Sequence, residues 1–291
     1  MDFLTALING LSSGGTYAII ALGYTMVYGI AKMLNFAHGD IIMIGGCVMY
    51  SVLSAKGNPL LAILAAVVFC VVLGVTIEKL AYKPLRGAAS LAVLITAISM
   101  SYLLQSVAQI YLKSGTPALS ALRLEGSVNI GSFRIDYSTI LTLAVTIVVM
   151  VALSLFVKYS KTGRAMVAVS EDRDAALLMG INTNFIITIT FAIGSALAAI
   201  AGYLMLCKAP ILTNTLGSMP GIKAFAAAVI GGIGSIPGAM LGGILLGVVE
   251  SISYSIPVLA PFTEAVEFSI LIIILLVRPS GILGKMRREK V

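Results

Sequence analysis

The sequence predicts an all-α polytopic membrane protein of about eight to nine transmembrane segments, with interrupted helices and an internal repeat. Three observations predict it. The 291 residues are 59% hydrophobic and only 11% charged, where a soluble chain carries about a quarter charged residues. Mean hydropathy is +1.06. Apolar runs of spanning length recur along the chain, and its basic residues gather in a few places between them.

The first candidate span is 4–30, with Gly10 and Gly14 at a spacing that lets helices approach closely. A short polar piece, 32–40, precedes a slightly short span at 41–53. Asn58-Pro59 marks a turn, 60–77 crosses again, and the loop 81–87 carries a helix-breaking proline. The fourth span is 88–112. In the extracytoplasmic loop 113–137, SVNIGSFRID around Gly131-Ser132 predicts a small hairpin. Residues 138–157 and 183–206 flank the polar stretch 158–182. The run 222–256 is interrupted by GGIGSIPGAMLGG, which leaves open one broken span or more, and 264–277 is the last. The whole of 1–291 reads as a single transmembrane domain.

Charge gives the orientation. Lys79, Lys83 and Arg86 share one loop, Lys158, Lys161, Arg164 and Arg173 another, and Arg278, Lys285, Arg287, Arg288 and Lys290 the tail. The positive-inside rule makes these cytoplasmic. Lys56, Lys113, Arg123, Arg134, Lys208 and Lys223 are expected in outward loops. The net charge of +7 therefore faces acidic membrane lipid, and nucleic acid is excluded as a partner. Cys47, Cys70 and Cys207 lie in or beside apolar runs as packing residues. MDFLTALING has no basic start, so the first apolar run is expected to remain as a span.

NFAHGDIIMIGGCVMYSV from Asn35 and GSIPGAMLGGILLGVVES from Gly234 echo one another, each placing turn chemistry before a Gly-Gly pair and an apolar helix. Interrupted helices in two halves point to a central transport site. The alternative is that Gly238/Gly242 and Gly243/Gly247 only let helices pack.

Catalysis has no support. The chain lacks G-x-x-x-x-G-K-[ST] and H-E-x-x-H, one histidine cannot build a His-rich metal site, and a serine nucleophile at Gly194-Ser195 or Gly234-Ser235 would have only His38 as its histidine base. Ionisable groups at membrane depth each need a reason. Asp40 is expected to cap the helix beginning at Ile41 or to serve the pathway with His38. Glu250 has no base near it in sequence and is either functional or solvated at the outer interface. Gln105 and Gln109 line a pathway or bond a neighbouring helix. Glu264 and Glu267 are expected at an outer helix start, where the dipole favours acids.

The stretch 158–182, KYSKTGRAMVAVSEDRDAALLMGIN, predicts one short helix over about 163–180, stopped by Gly180. Met166, Val169, Leu177 and Met179 form no single stripe, so the helix is expected not to bury itself in its own chain. It reads as a docking surface.

GRAMVAVSEDRDAALLMGIN resembles the cytoplasmic coupling loop of permeases in bacterial ATP-binding-cassette importers. MLNFAHGDIIMIGG and AFAAAVIGGIGSIPGAMLGGILLGVVES resemble the two half-signatures of the branched-chain amino-acid permeases, LivH-type in particular, so the likeness covers nearly the whole chain. One departure is Val167, where the family often has a basic residue. The resemblance implies import of leucine, isoleucine and valine in the bacterial inner membrane. Its partners would be a LivM-type second permease, two ABC ATPases that hold ATP and Mg, and an extracytoplasmic substrate-binding protein. No cofactor would be bound by this chain. Gly163, Arg164, Ala168, Glu171, Asp172, Ala175 and Gly180 would form the coupling helix. Asn35, His38, Asp40, Gly231, Gly232, Gly238, Gly242, Gly243 and Glu250 would lie near a mostly apolar pathway with few fixed charges. Urea, amides and other amino acids are alternative cargoes, and an ion-coupled transporter using Asp40 and Glu250, or a channel, is the alternative mechanism.

Overall fold

The computed structural model describes residues 3–130 and 133–284. Its helices follow from local chemistry. α1 (Phe3–Ala31) is followed by a connection and α2 (His38–Ser54). Asn58 begins α3 (Pro59–Ile77) by accepting the Leu60 N–H at 2.9 Å, with Pro59 in the first turn, where its missing N–H costs nothing. A π-helical turn, Glu78–Tyr82, and a 3-10 turn, Lys83–Leu85, lead to α4 (Ser90–Leu112). The predicted hairpin is present as β1 (Ser127–Ile130) antiparallel to β2 (Phe133–Asp136), with Ser127 opposite Asp136. Its tip, Gly131-Ser132, lies outside the described residues, as do Lys285, Arg287, Arg288 and Lys290 of the tail.

α5 (Tyr137–Tyr159) leads to two short helices, α6 (Lys161–Glu171) and α7 (Arg173–Leu178), and then α8 (Thr183–Lys208). The interrupted run resolves into α9 (Ser218–Gly231) and α10 (Ile236–Ser255), separated by a break at 232–235, and α11 (Thr263–Val277) ends the bundle. Ser235 caps α10 by accepting the Gly238 N–H at 3.2 Å. Among the described residues, seven helices are long and apolar enough to cross a membrane; α2 and α9 are shorter apolar helices beside them.

The packing contains a repeat. α1 packs on α9 and α10, and α8 packs on α2 and α3. In the same way α2 touches α3 and α4, while α9 touches α10 and α11. The four helices α1–α4 therefore correspond to α8–α11, with α5–α7 joining them. The two first helices run in opposite directions: Lys208 at the end of α8 donates to Ser13 near the start of α1 at 2.9 Å, while Asn184 at the start of α8 accepts from Arg86 of the α3–α4 connection. This is an inverted-topology repeat. The echo expected from the sequence paired α2 with α10. The contacts pair α2 with α9 instead, because both are the short helices laid against the other half's long first helix.

Glycines set the closest approach, between α1 and α10. A Cβ on Gly14 would lie 2.8 Å from Ile244 Cα, one on Gly243 would strike Ala18, and one on Gly247 would strike Gly14. α1 is largely enclosed, whereas α4 and α11 leave large apolar side chains such as Leu103, Ile110, Ile272 and Leu276 facing outward. That is the pattern of a bundle whose solvent on these faces is lipid.

Candidate functional site

The polar stretch between α5 and α8 forms a two-helix element, not the single helix expected over 163–180. Asp172 interrupts it in extended conformation and caps α7, accepting the N–H groups of Asp174 at 3.0 Å and Ala175 at 2.9 Å. Ser160 caps α6 through the Gly163 N–H at 2.8 Å. The expectation that this segment stays off its own chain is also corrected. Gly163, Met166 and Val169 recur every third residue, so one face of α6 is buried against the bundle. Gly163 is needed there, since a Cβ would meet the backbone of Phe156 and Val157. Burying Met166 and Val169 stabilises the attachment by about 1.5–3 kcal/mol each.

The opposite face and all of α7 but Ala176 point away. Arg164, Glu171, Asp172 and Ala175 are exposed, Ala168 is half-buried, and Gly180 ends the element at φ +81°. At its tip, Leu177, Leu178 and Met179 are 59, 88 and 83% exposed. Sequence reasoning counted Leu177 and Met179 among scattered apolar positions and passed over Leu178, so it missed that three successive large apolar residues stand exposed at the end of α7.

Of the residues expected near a pathway, His38 and Asp40 lie in the first turn of α2, which faces the start of α9, and the others lie elsewhere in the bundle. A Cβ on Gly217 would strike the carbonyl of Gly39, so the two backbones are in contact. Asp40 does not cap α2: the N-cap is Ala37, and the Asp40 carboxylate instead accepts from Gln105 Nε2 at 2.9 Å, which also reaches Ser218 at 3.3 Å. Gln105 thus bonds a neighbouring helix, and Gln109 is exposed. Asn35 is buried and accepts the Tyr82 hydroxyl at 2.9 Å. His38 is buried edge-on to Tyr24, ring centroids 4.7 Å apart, in space left by Gly23. Gly231, Gly238 and Gly242 bring α9 and α10 together, Gly243 admits α1, and Gly232 at φ +102° touches Gly284 of the tail.

Glu250 is neither without a base nor solvated. Lys223 Nζ donates to its Oε1 at 2.5 Å and lies 3.1 Å from Glu267 Oε2, while Tyr17 Oη donates to Glu250 at 3.0 Å. Lys223 is therefore no outward-loop residue; it is 5% exposed on α9. Glu264 stands in the first turn of α11 and Glu267 one turn further on, where it is buried at 1% exposed. Four helices, α1, α9, α10 and α11, meet at this cluster of fixed charge inside the bundle. A lysine and two glutamates within otherwise apolar runs were the signal available. A second ion pair, Arg86 with Glu78, joins the α3–α4 connection to α8 through Asn184 and Thr188. Burial lowers the Arg86 pKa, Glu78 opposes the shift, and nearby Arg173 adds to it.

Inverted repeats of interrupted helices with short helices meeting at the middle are the construction of a membrane transport protein. The comparisons specify which. Residues 6–276 match the family model described as branched-chain amino acid transport system / permease component, and the chain belongs to that family. It is 43% identical to the high-affinity branched-chain amino acid transport system permease protein BraD of Pseudomonas aeruginosa, covering 99% of this chain and 98% of the relative. Identity to the permease proteins LivH of Escherichia coli K12 and of Salmonella typhimurium LT2 is 43% at the same coverage. These relatives are named as permease proteins, not enzymes, and the chain is a multi-pass membrane component of a transport system.

Proposed function

We propose that this chain is one of two non-identical permease subunits of an ATP-driven importer of leucine, isoleucine and valine in a bacterial inner membrane. A LivM-type subunit is the other. Two ABC ATPases bind ATP and Mg, and an extracytoplasmic protein delivers the substrate. The names of the relatives support the substrate class.

The observation that carries the mechanism is the α6–α7 element. Its inner face is fixed to the bundle and its tip offers Leu177, Leu178 and Met179 to a partner. Large apolar side chains held this far from a core mark a protein interface. With this end cytoplasmic, as the basic loops support, closure of the ATPases moves α7, and α8 follows because Asn182 caps it one turn later. The movement reaches α3 through Arg86, Glu78 and Thr188. Substrate passes beside the meeting of α2 and α9, near Asn35, His38, Asp40, the glycines around the 232–235 break and Glu250, and backbone contact between Gly39 and Gly217 makes a small shift enough to open or seal the route.

The test is Leu178→Glu in the intact transporter. Loss of the ATPases on purification, with leucine uptake down roughly tenfold or more, is the size of effect expected at an interface hot spot. Full uptake and full retention of the ATPases would overturn the docking role.

A further inference from the structure

At the end of the bundle that carries α6 and α7, a cavity of about 320 Å³ lies between the end of α1, the α3–α4 connection and the start of α7. Three cationic residues line it, one from each element: Lys32, Arg86 and Arg173. Arg86 is the built part of the site. Its side chain is 8% exposed, and its two terminal nitrogens are held by Glu78 and Asn184. Its Nε–H is buried with no hydrogen-bond partner among the described residues. A buried guanidinium donor without an acceptor is unfavourable, and an oxyanion that reached it would satisfy it.

The other wall is apolar, with Leu34, Val93 and Leu94. Directly beyond it, α4 presents Leu91, Ile95 and Ile98, which are 65, 55 and 41% exposed and fall on one stripe at i, i+4, i+7. Cations at the membrane boundary with an apolar stripe rising from them match a molecule that is anionic at one end and hydrocarbon at the other.

We propose that this cavity binds the phosphate of an anionic phospholipid whose acyl chains run along Leu91, Ile95 and Ile98. The headgroup ties Arg173 of α7 to Arg86 of the α3–α4 connection, so the lipid sets the position of the element that meets the ATPase. A free phosphate or an amino-acid carboxylate shares the oxyanion chemistry but has no use for the stripe.

The full chain, purified lipid-free in neutral detergent, tests this with phosphatidylglycerol, phosphatidylcholine, inorganic phosphate and leucine added separately. Native mass spectrometry counts retained lipid, and thermal unfolding reads stabilisation, since a ligand bound to the folded state raises its midpoint. Phosphatidylglycerol is expected to be retained and to raise the midpoint, with little effect from the other three. The double variant Lys32→Gln/Arg173→Gln leaves the Arg86–Glu78 pair in place and, measured against its own lipid-free midpoint, is expected to lose that shift. Equal shifts from both lipids, an undiminished shift in the variant, or a shift reproduced by inorganic phosphate or leucine would overturn the proposal.

Discussion

Lys223 Nζ sits 2.5 Å from Glu250 Oε1, and the two residues belong to adjacent helices of the second repeat, α9 and α10. Glu267 of α11 completes the pair from the far side. In an apolar bundle this cluster fixes the register of the short helix α9 against three others. Lys223→Met leaves two buried carboxylates facing each other and should lower stability by about 3–5 kcal/mol. Thermal unfolding in detergent measures it. Lys223→Met combined with Glu250→Gln and Glu267→Gln should recover much of the loss, because an uncharged cluster leaves no unpaired ion.

Gly247 lies against the backbone of Gly14 and leaves no room for a methyl group. Gly247→Val should separate α1 from α10 and destabilise by about 1–3 kcal/mol or more, the cost of overpacking. Unchanged unfolding of this variant would show that the two helices do not pack as described.

Asp172 acts through its cap. Asp172→Ala should cost about 0.5–2 kcal/mol of local helix stability and reduce uptake, whereas Asp172→Asn keeps the acceptor and should retain most activity. Hydrogen exchange at the amides of Asp174 and Ala175, the two that Asp172 holds, separates loss of the cap from loss of a charge contact. Equal activity loss in both variants would point to the charge.

The Arg86–Glu78 pair should behave as a link between α3 and α8. Glu78→Gln is expected to lower uptake by roughly tenfold while the protein still inserts, since Thr188 and Arg86 both lose a charged acceptor. Uptake assays beside expression level in the membrane fraction check it.

Much of the fold was legible because membrane helices announce themselves by length and apolarity, and their ends by local chemistry. Asn58-Pro59 and Gly180 mark the helix ends the structure shows. The hairpin followed from its strand residues and turn. What the sequence hid was pairing at a distance. Lys223 lies 27 residues from Glu250 and 44 from Glu267, so no local window joins them, and a lysine beside a Pro/Gly-rich loop reads as exposed. The Asp40–Gln105 bond is hidden in the same way. The repeat was visible but misaligned, because Gly-Gly before an apolar helix is a packing signal shared by α2 and α10, whereas equivalence is fixed by which helices touch. The burial of α6 was missed because Met166 and Val169 make a stripe only once Asp172 ends the helix.

The central claim is that the tip of α7 is a cytosolic docking point. Cys47, Cys70 and Cys207 are all buried, so a cysteine placed at Leu178 can be labelled almost alone. In inside-out vesicles a membrane-impermeant maleimide should react with Leu178→Cys when the ATPases are stripped and should fail when they are bound. Labelling from the outside of right-side-out vesicles, or only by a lipid-soluble reagent, would contradict the docking role.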